Sequence, residues 1–164
     1  MLSDIALTFT RRSALAALLV LAACGYVPVY GTDGQAAALR NAIGFDVPAT
    51  EMGFALRKHL QDRLGVTQTV EYQLSVTIDV DEEPAAIAAD NSATRQVLRG
   101  SATYRLFDLT GDQVTEGQVD TFVGYSTTGT TVATETARAD AFERLANGLG
   151  DLIVSRLFAL RIEG

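Results

Sequence analysis

The sequence contains few of the residues from which catalytic and metal sites are usually built. Its 164 residues include one cysteine, one histidine and no tryptophan. A single histidine and a single cysteine cannot supply the ligands of a typical zinc site. No serine lies in a Gly-x-Ser-x-Gly pattern, and the sequence has neither a P-loop nor a dinucleotide-binding glycine motif. We therefore expect a protein that is not an enzyme and that holds no metal or cofactor.

The sequence also lacks a second long apolar run besides the one near its N-terminus. That run covers the 11 residues 13–23, follows Arg11 and Arg12, and ends in Ala22-Ala23-Cys24. It is too short to span a bilayer, which takes about 20 residues. A cationic start, a short apolar stretch and small residues at its end are typical of a secretory signal. We predict a signal peptide at residues 1–23 that is removed.

Because Cys24 is the only cysteine, it has no partner for an internal disulfide. Small residues followed by cysteine resemble the lipobox of bacterial lipoproteins, in which the chain is cut before the cysteine and the thiol is acylated. We predict cleavage between Ala23 and Cys24 and a lipid anchor on Cys24. Gly25 stands where an aspartate commonly retains lipoproteins at the inner membrane, which favours the outer membrane. The arginine pair permits general secretion or twin-arginine export.

Acidic residues outnumber basic ones throughout the rest of the chain. Without residues 1–23 it holds 11 Lys and Arg against 19 Asp and Glu, a net charge of −8. A chain of this charge gains nothing from counterion release on a phosphate backbone, which argues against nucleic acid as a partner. Its charge does not attract it to an anionic membrane either, so the lipid would have to hold it there.

Hydrophobic spacing predicts a single α+β domain over residues 42–162. Glycine and proline are frequent in residues 24–41, which predicts an extended, lipid-anchored leader before it. A two-layer sandwich is expected, with a four-stranded, mainly antiparallel sheet and both helices on one face. The predicted order is a strand at 43–47, a helix at 50–64, strands at 70–81, 94–107 and 114–125, and a helix that ends near residue 160.

The hydrophobic spacing also predicts where particular residues of the two helices lie. The apolar face of the C-terminal helix is expected to include Leu152. Gly148 and Gly150 either weaken that helix by about 1 kcal/mol each or allow close packing against it. Met52, Leu56, Leu60 and Leu64 recur at four-residue spacing and predict one apolar stripe, here called the leucine stripe, on the first helix. His59 lies off this stripe and is expected on the surface.

Acidic side chains cluster near the end of the first long strand, at Asp79, Asp81 and Glu82-Glu83-Pro84. A solvated strand end is the expected interpretation, because nothing in the sequence places an apolar pocket around them; a glycosidase or calcium site is the weaker alternative. The proline is expected to break or bulge the strand. Gly117 and Gly124 are expected to mark bulges in the last strand.

Three arginines of the next strand share one face, because Arg95, Arg99 and Arg105 differ by even numbers. In so acidic a chain they form a local basic stripe, which suits the binding of phosphate or carboxylate groups. The alternative is ordinary cross-strand ion pairing, worth less than about 1 kcal/mol for an exposed pair. The acidic partners expected for such pairing are Glu71, Asp79 or Asp120.

Several motifs together resemble the LptE family of lipopolysaccharide (LPS)-assembly lipoproteins. The lipobox continues into an aromatic residue and Pro-x-Tyr-Gly at residues 28–31. Ala93-Thr94-Arg95 leads to Gly100-x-Ala102-x-Tyr104-x-Leu106, and residues 124–134 open a C-terminal helix that holds Asp140-Ala141 and Arg144-Leu145. The likeness covers residues 24–162 and is closest in pattern to the alphaproteobacterial branch.

The resemblance implies a non-catalytic lipoprotein anchored to the periplasmic side of the outer membrane. Family members plug the lumen of the LPS translocon barrel, LptD, assist its assembly and contact LPS on its way to the cell surface. LPS and the barrel are thus the implied partners. The basic residues that the family uses cannot be aligned here, so Arg95, Arg99 and Arg105 follow from the stripe alone.

Two other classes of protein fit the same sequence. One is an auxiliary lipoprotein of an ABC-type lipid transporter, which is also acidic, tethered and non-catalytic. The other is a periplasmic hydrolase whose site has no recognisable motif.

Overall fold

The computed structural model describes residues 39–87 and 93–160, so Ala23, Cys24 and most of the predicted leader lie outside the described residues. It has two helices and four strands in the predicted order, and their bounds differ from the predicted ones mainly at the ends. The elements are β1 (Ile43–Asp46), α1 (Glu51–Leu64), β2 (Tyr72–Ile87), β3 (Ala93–Asp108), β4 (Gln113–Ser126) and α2 (Thr131–Phe158).

The four strands form one open sheet in the order β1-β2-β3-β4. β1 pairs with β2 in parallel, because the chain returns to the sheet through α1, whereas β2, β3 and β4 are antiparallel. The predicted α+β class with a mainly antiparallel sheet is therefore confirmed. The sheet is mixed, with the parallel pair confined to four residues of each strand.

Both ends of α1 are fixed by the residues that flank it. The Thr50 hydroxyl accepts a hydrogen bond from the Gly53 backbone N–H at 3.1 Å, which satisfies a free amide of the first turn. Gly65 ends the helix with φ of 89°, a left-handed backbone that favours glycine. The predicted stripe is buried, and it consists of Met52, Leu56, Leu60 and Leu64.

The long helix α2 begins after Thr130, whose hydroxyl accepts from the Ala133 N–H at 3.3 Å. Leu152 is 38% exposed, so its predicted place on the apolar face was wrong. The helix packs against both α1 and the sheet, so its buried side is the one that faces these two elements. Leu152 lies outside that buried side. The residues of the buried side are Ala141, Leu145, Ala146, Leu149, Gly150, Ile153, Val154, Leu157 and Phe158.

The core lies between the two helices and one side of the sheet, here called the covered face. Glycines bring the layers close together: a Cβ on Gly100 would lie 3.0 Å from Leu145 Cδ2, and one on Gly150 would lie 2.8 Å from His59 Cδ2. The close-packing interpretation of Gly150 is thus confirmed. Leu39 is fully buried, so the core includes a residue of the predicted leader.

The irregularities of the sheet fall partly where the sequence predicted them. The pairing of β2 shifts between Pro84 and Ala86, as expected of the proline. The expected bulges at Gly117 and Gly124 are absent, since both pair regularly and the β4 shift lies opposite Leu106 and Phe107. Gly117 instead makes room for the Tyr104 ring, whose Oη would lie 2.6 Å from an added Cβ.

Candidate interaction surface

The side of the sheet away from the helices, here called the open face, has no covering helix or strand among the described residues. Alternation of β2, β3 and β4 places every second side chain there. The strand register places these side chains side by side in rows that cross β2, β3 and β4. Two of these rows lie near the middle of the open face. The central rows are Asp79-Ser101-Asp120 and Asp81-Arg99-Phe122.

The three predicted arginines all lie on the open face, and two of them are paired. Arg99 Nε lies 3.2 Å from Glu83 Oε2, and Arg105 Nε lies 3.4 Å from Glu116 Oε2. Both pairs are exposed, and their partners are neighbours that the sequence argument did not name. Arg95 makes no ion pair within the described part of the chain.

Carboxylates remain on the open face without a cation. Asp79 and Asp81 make no ion pair among the described residues, and Asp120 accepts a 3.3 Å hydrogen bond from Gln118 Nε2. These carboxylates, together with Arg99, line a hollow of about 320 Å³. Phe122, which is 67% exposed, forms part of its wall. The open face therefore combines free negative charge with an exposed aromatic ring.

Glu82, expected at a solvated strand end, turns to the covered face and joins α2 to the sheet. Arg138 Nη2 and Nε donate to Glu82 Oε2 at 2.9 and 3.2 Å, and the Tyr125 hydroxyl donates to Glu82 Oε1. The Arg138 guanidinium also lies 4.9 Å from the centre of the Phe142 ring. Glu82 follows the apolar residue Val80 by two positions, so strand alternation places both side chains on the same face. This spacing was the sequence signal for the placement of Glu82.

This cluster shifts the pKa values of its acidic members in opposite directions. The hydrogen bond from Arg138 lowers the pKa of the Glu82 carboxyl, against a smaller opposing effect of burial. Burial raises the pKa of the Tyr125 phenol, and its hydrogen bond to Glu82 adds to the effect. Glu82 is thus held as a carboxylate, and Tyr125 as a neutral donor.

A groove of about 490 Å³ lies beside this cluster, between β2 and the first turns of the two helices. Most of its lining residues are apolar, and its charged ones are Arg138 and two carboxylates, Glu51 and Glu135. Since Arg138 already pairs with Glu82, the groove has no free cation among its described lining residues. It offers an anionic ligand no charge partner.

His59 lies at the contact between the helices, and its side chain is partly buried there. Its side chain is 21% exposed, and Nε2 lies 3.0 Å from Asp151 Oδ1. Arg63 Nε contacts the same oxygen at 3.2 Å. Gly150 admits the ring, which explains how a polar residue beside the leucine stripe enters the interface. The contact joins α1 to α2.

The described residues contain no group of three or more His, Cys, Asp or Glu side chains placed to hold a metal ion. No helix in the described ranges is both long and apolar enough to cross a membrane. The geometry therefore draws attention to surfaces, and above all to the open face.

Solved structures of similar shape come from several bacteria. A lipoprotein candidate from Caulobacter crescentus CB15 has a TM-score of 0.63 at 28% identity and covers 76% of this chain and 92% of its own. Rare lipoprotein B from Shewanella oneidensis has a TM-score of 0.53 at 11% identity and covers 71% and 91%. A minor lipoprotein from Acinetobacter baumannii has a TM-score of 0.50 at 17% identity and covers 71% and 94%. The last two likenesses show a common fold.

The sequence was also compared with curated proteins and with family profiles. No curated protein gave a significant match. The profile of LptE, described as lipopolysaccharide-assembly, matches residues 37–157. That range holds all four strands, α1 and nearly all of α2. The chain therefore belongs to the LptE family of lipopolysaccharide-assembly proteins.

Proposed function

We propose that this protein is a non-catalytic lipoprotein of the outer membrane that plugs the LPS translocon barrel, LptD. In this role it helps the barrel to assemble and assists LPS insertion at the cell surface. The observation that carries the proposal is the family match over residues 37–157. The similar solved structures, which include lipoproteins from three genera, agree with it.

The two faces of the sheet suit a plug in different ways. The covered face and the helices bury a continuous apolar core, so the domain needs no partner to complete that core. The open face carries charged and hydroxyl side chains, which tolerate the water-filled interior of a large barrel. A plug of this kind meets its barrel mainly through polar contacts.

The lipid on Cys24 has a positional role in this proposal. A single acyl chain gives only marginal membrane binding, whereas several chains on one residue make detachment rare. The anchor would hold the domain at the periplasmic side of the outer membrane, where the barrel lies. No chemistry of the thiol beyond acylation is required.

Arg95, Arg99 and Arg105 are the proposed contacts for LPS phosphates or for the barrel. Guanidinium groups bind phosphate oxygens with charge-assisted hydrogen bonds. Arg95 can do so directly, while Arg99 and Arg105 would first have to leave Glu83 and Glu116. The exchange of these carboxylates for a phosphate costs little free energy, because an exposed ion pair is worth less than about 1 kcal/mol.

Affinity capture of the Cys24-anchored protein from outer membranes tests the proposal. We expect the LptD barrel to co-purify in stoichiometric amount, and depletion of the protein to leave misassembled barrel and less LPS at the surface. A barrel that is absent from the captured material contradicts the plug role. Normal surface LPS with an altered phospholipid balance after depletion would instead indicate a lipid-transporter accessory.

Cys24→Ala is the matched variant for the anchor. We expect it to abolish acylation and processing at residue 24, as a mass shift of the mature protein would show. Some LPS assembly should persist, because burial in the barrel can hold the domain without its lipid.

Turnover of an ester, peptide or glycoside by the purified protein would overturn the non-catalytic role.

A further inference from the structure

β4 is the outermost strand of the sheet and has one strand neighbour among the described residues. It pairs with β3 in unbroken register from Ser126, opposite Arg95, to Thr115, opposite Leu106. In the described ranges, no backbone hydrogen bond joins the other side of β4 to a loop or helix. Alternate amides and carbonyls of a long, straight strand therefore face outward, which is the template for strand addition.

Within residues 39–87 and 93–160, the other free edge of the sheet has features that block strand pairing, and the β4 edge has fewer of them. β1 covers β2 only from Tyr72 to Ser75. Beyond it, β2 contains Pro84, and its register shifts there; both features block edge pairing. β4 contains no proline, lysine or arginine, and its register shift lies at the turn end. The difference between the two edges marks β4 as the accepting one.

The side chains along β4 indicate the chemistry of the strand that would pair with it. Glu116, Asp120 and Phe122 point to the open face along this edge. Asp120 has no cation partner among the described residues, and Glu116 shares only the exposed Arg105. Opposite charges on adjacent strands stabilise pairing. A strand with basic side chains at alternate positions would meet both carboxylates.

We propose that β4 accepts an additional β-strand from a partner protein, and that this strand carries Lys or Arg at alternate positions. A second copy of this chain is a poor donor, because its own β4 holds no basic residue and both copies are strongly acidic. The inference rests on the sheet and its charges, and it stands whether or not the partner is the translocon.

The test uses the full chain, purified from membranes in detergent, and a peptide that mimics the donor strand. The probe has the sequence Thr-Lys-Val-Lys-Val-Lys-Val-Lys-Thr. We expect it to slow hydrogen exchange at alternate amides of residues 113–126 and to leave the β2 edge unchanged. A peptide with Glu in place of Lys, and one with every backbone amide N-methylated so that none can donate, should both fail to slow exchange.

Two variants with the same charge change separate strand addition from general attraction to an acidic surface. Asp120 and Asp79 lie in one row of the open face, but Asp120 is on β4 and Asp79 is two strands away. We expect Asp120→Lys to weaken peptide binding about fivefold and Asp79→Lys to weaken it less than about twofold. Unchanged circular dichroism of both variants verifies their fold.

Three results would overturn the proposal. The outward amides of β4 could already exchange slowly without peptide, which would mean that this edge is occupied by the chain itself or by a second copy. The two Lys variants could weaken binding equally, which would indicate a diffuse electrostatic contact. The peptide could bind without protecting β4, which would place its site elsewhere.

Discussion

The covered and the open face of the sheet consist of alternate residues of the same three long strands. Leu74, Leu98 and Val119 lie on the covered face and are buried under the helices. Asp79, Ser101 and Asp120 lie on the open face and are half-buried or exposed. One face holds the domain together, and the other presents charged, hydroxyl and aromatic side chains, among them the exposed ring of Phe122.

This difference separates stability from recognition within a single sheet. Burial of apolar area is the main favourable term in folding, so changes on the covered face should unfold the domain. Exposed ion pairs contribute little to stability. Changes on the open face should therefore alter binding while leaving the fold intact. Substitutions on the two faces test this separation.

The largest effect is expected from Leu145→Ala. Leu145 is fully buried against Gly100 of β3, so the change leaves a cavity and should lower the free energy of unfolding by about 2–5 kcal/mol. Leu152→Ala on the same helix is the matched control, because Leu152 is partly exposed, and it should cost less than about 1 kcal/mol. Urea unfolding measures both. Equal losses would mean that the buried side of α2 is wrongly placed.

A pair of glycines on α2 should respond in opposite directions to the same change. A Cβ at residue 150 would lie 2.8 Å from His59 Cδ2 and 3.2 Å from Leu56 Cδ1, so Gly150→Ala should destabilise the domain by about 1–2 kcal/mol. A Cβ at residue 148 would make an ordinary 3.4 Å contact with Thr121 Cγ2. Gly148→Ala should then stabilise the protein by up to about 1 kcal/mol through helix propensity. Thermal unfolding distinguishes the signs.

The covered face was largely predictable from the sequence, because its signals are local. Strict alternation identified β2, and four-residue spacing identified the stripe from Met52 to Leu64. Thr130 and Gly65 have cap chemistry that depends only on adjacent backbone. Where the prediction failed, as at Leu152, the deciding factor was the corner formed by α1 and the sheet, which no spacing within α2 reveals.

The open face and the polar cluster were less predictable, because their contacts join distant parts of the chain. The stripe of Arg95, Arg99 and Arg105 follows from parity, but its ion-pair partners depend on the register between strands. Glu82 meets an arginine 56 residues further along. Strand alternation placed Glu82 on the same face as Val80, yet its position in a run of acidic residues suggested a solvated strand end. His59 likewise depends on a glycine in the other helix.

An intermediate effect is expected where Glu82 joins the two layers. Glu82→Gln weakens the hydrogen bonds from Arg138, and we expect it to lower the free energy of unfolding by about 1 kcal/mol at neutral pH. Arg138 lowers the pKa of Glu82 in the folded state, below its ordinary value near 4.5. The stabilisation is therefore complete above that value and is lost as pH falls through the folded pKa.

The difference in stability between the parent protein and Glu82→Gln should accordingly shrink below about pH 4.5. Urea unfolding from pH 7 to pH 3 measures it. Asp108, whose pKa is lowered by its hydrogen bond from Thr110, is present in both proteins, so its contribution cancels. A difference that stays constant with pH would show that the glutamate acts through packing and not through its charge.

The smallest effect on stability, and the sharpest test of the two faces, comes from the arginines of β3. Arg99→Ala and Arg105→Ala each remove one exposed ion pair, and Arg95→Ala removes none among the described residues. Each change should alter the free energy of unfolding by less than about 0.5 kcal/mol.

If the arginines contact LPS phosphates, the triple variant should bind purified LPS more weakly and lose the salt dependence of binding. Arg63→Ala removes an exposed cation of the helical layer that pairs with Asp151, and it should leave LPS binding unchanged. If Arg63→Ala weakened LPS binding as much as each single arginine variant of β3, LPS would sense only net charge, and the open face would not be its site.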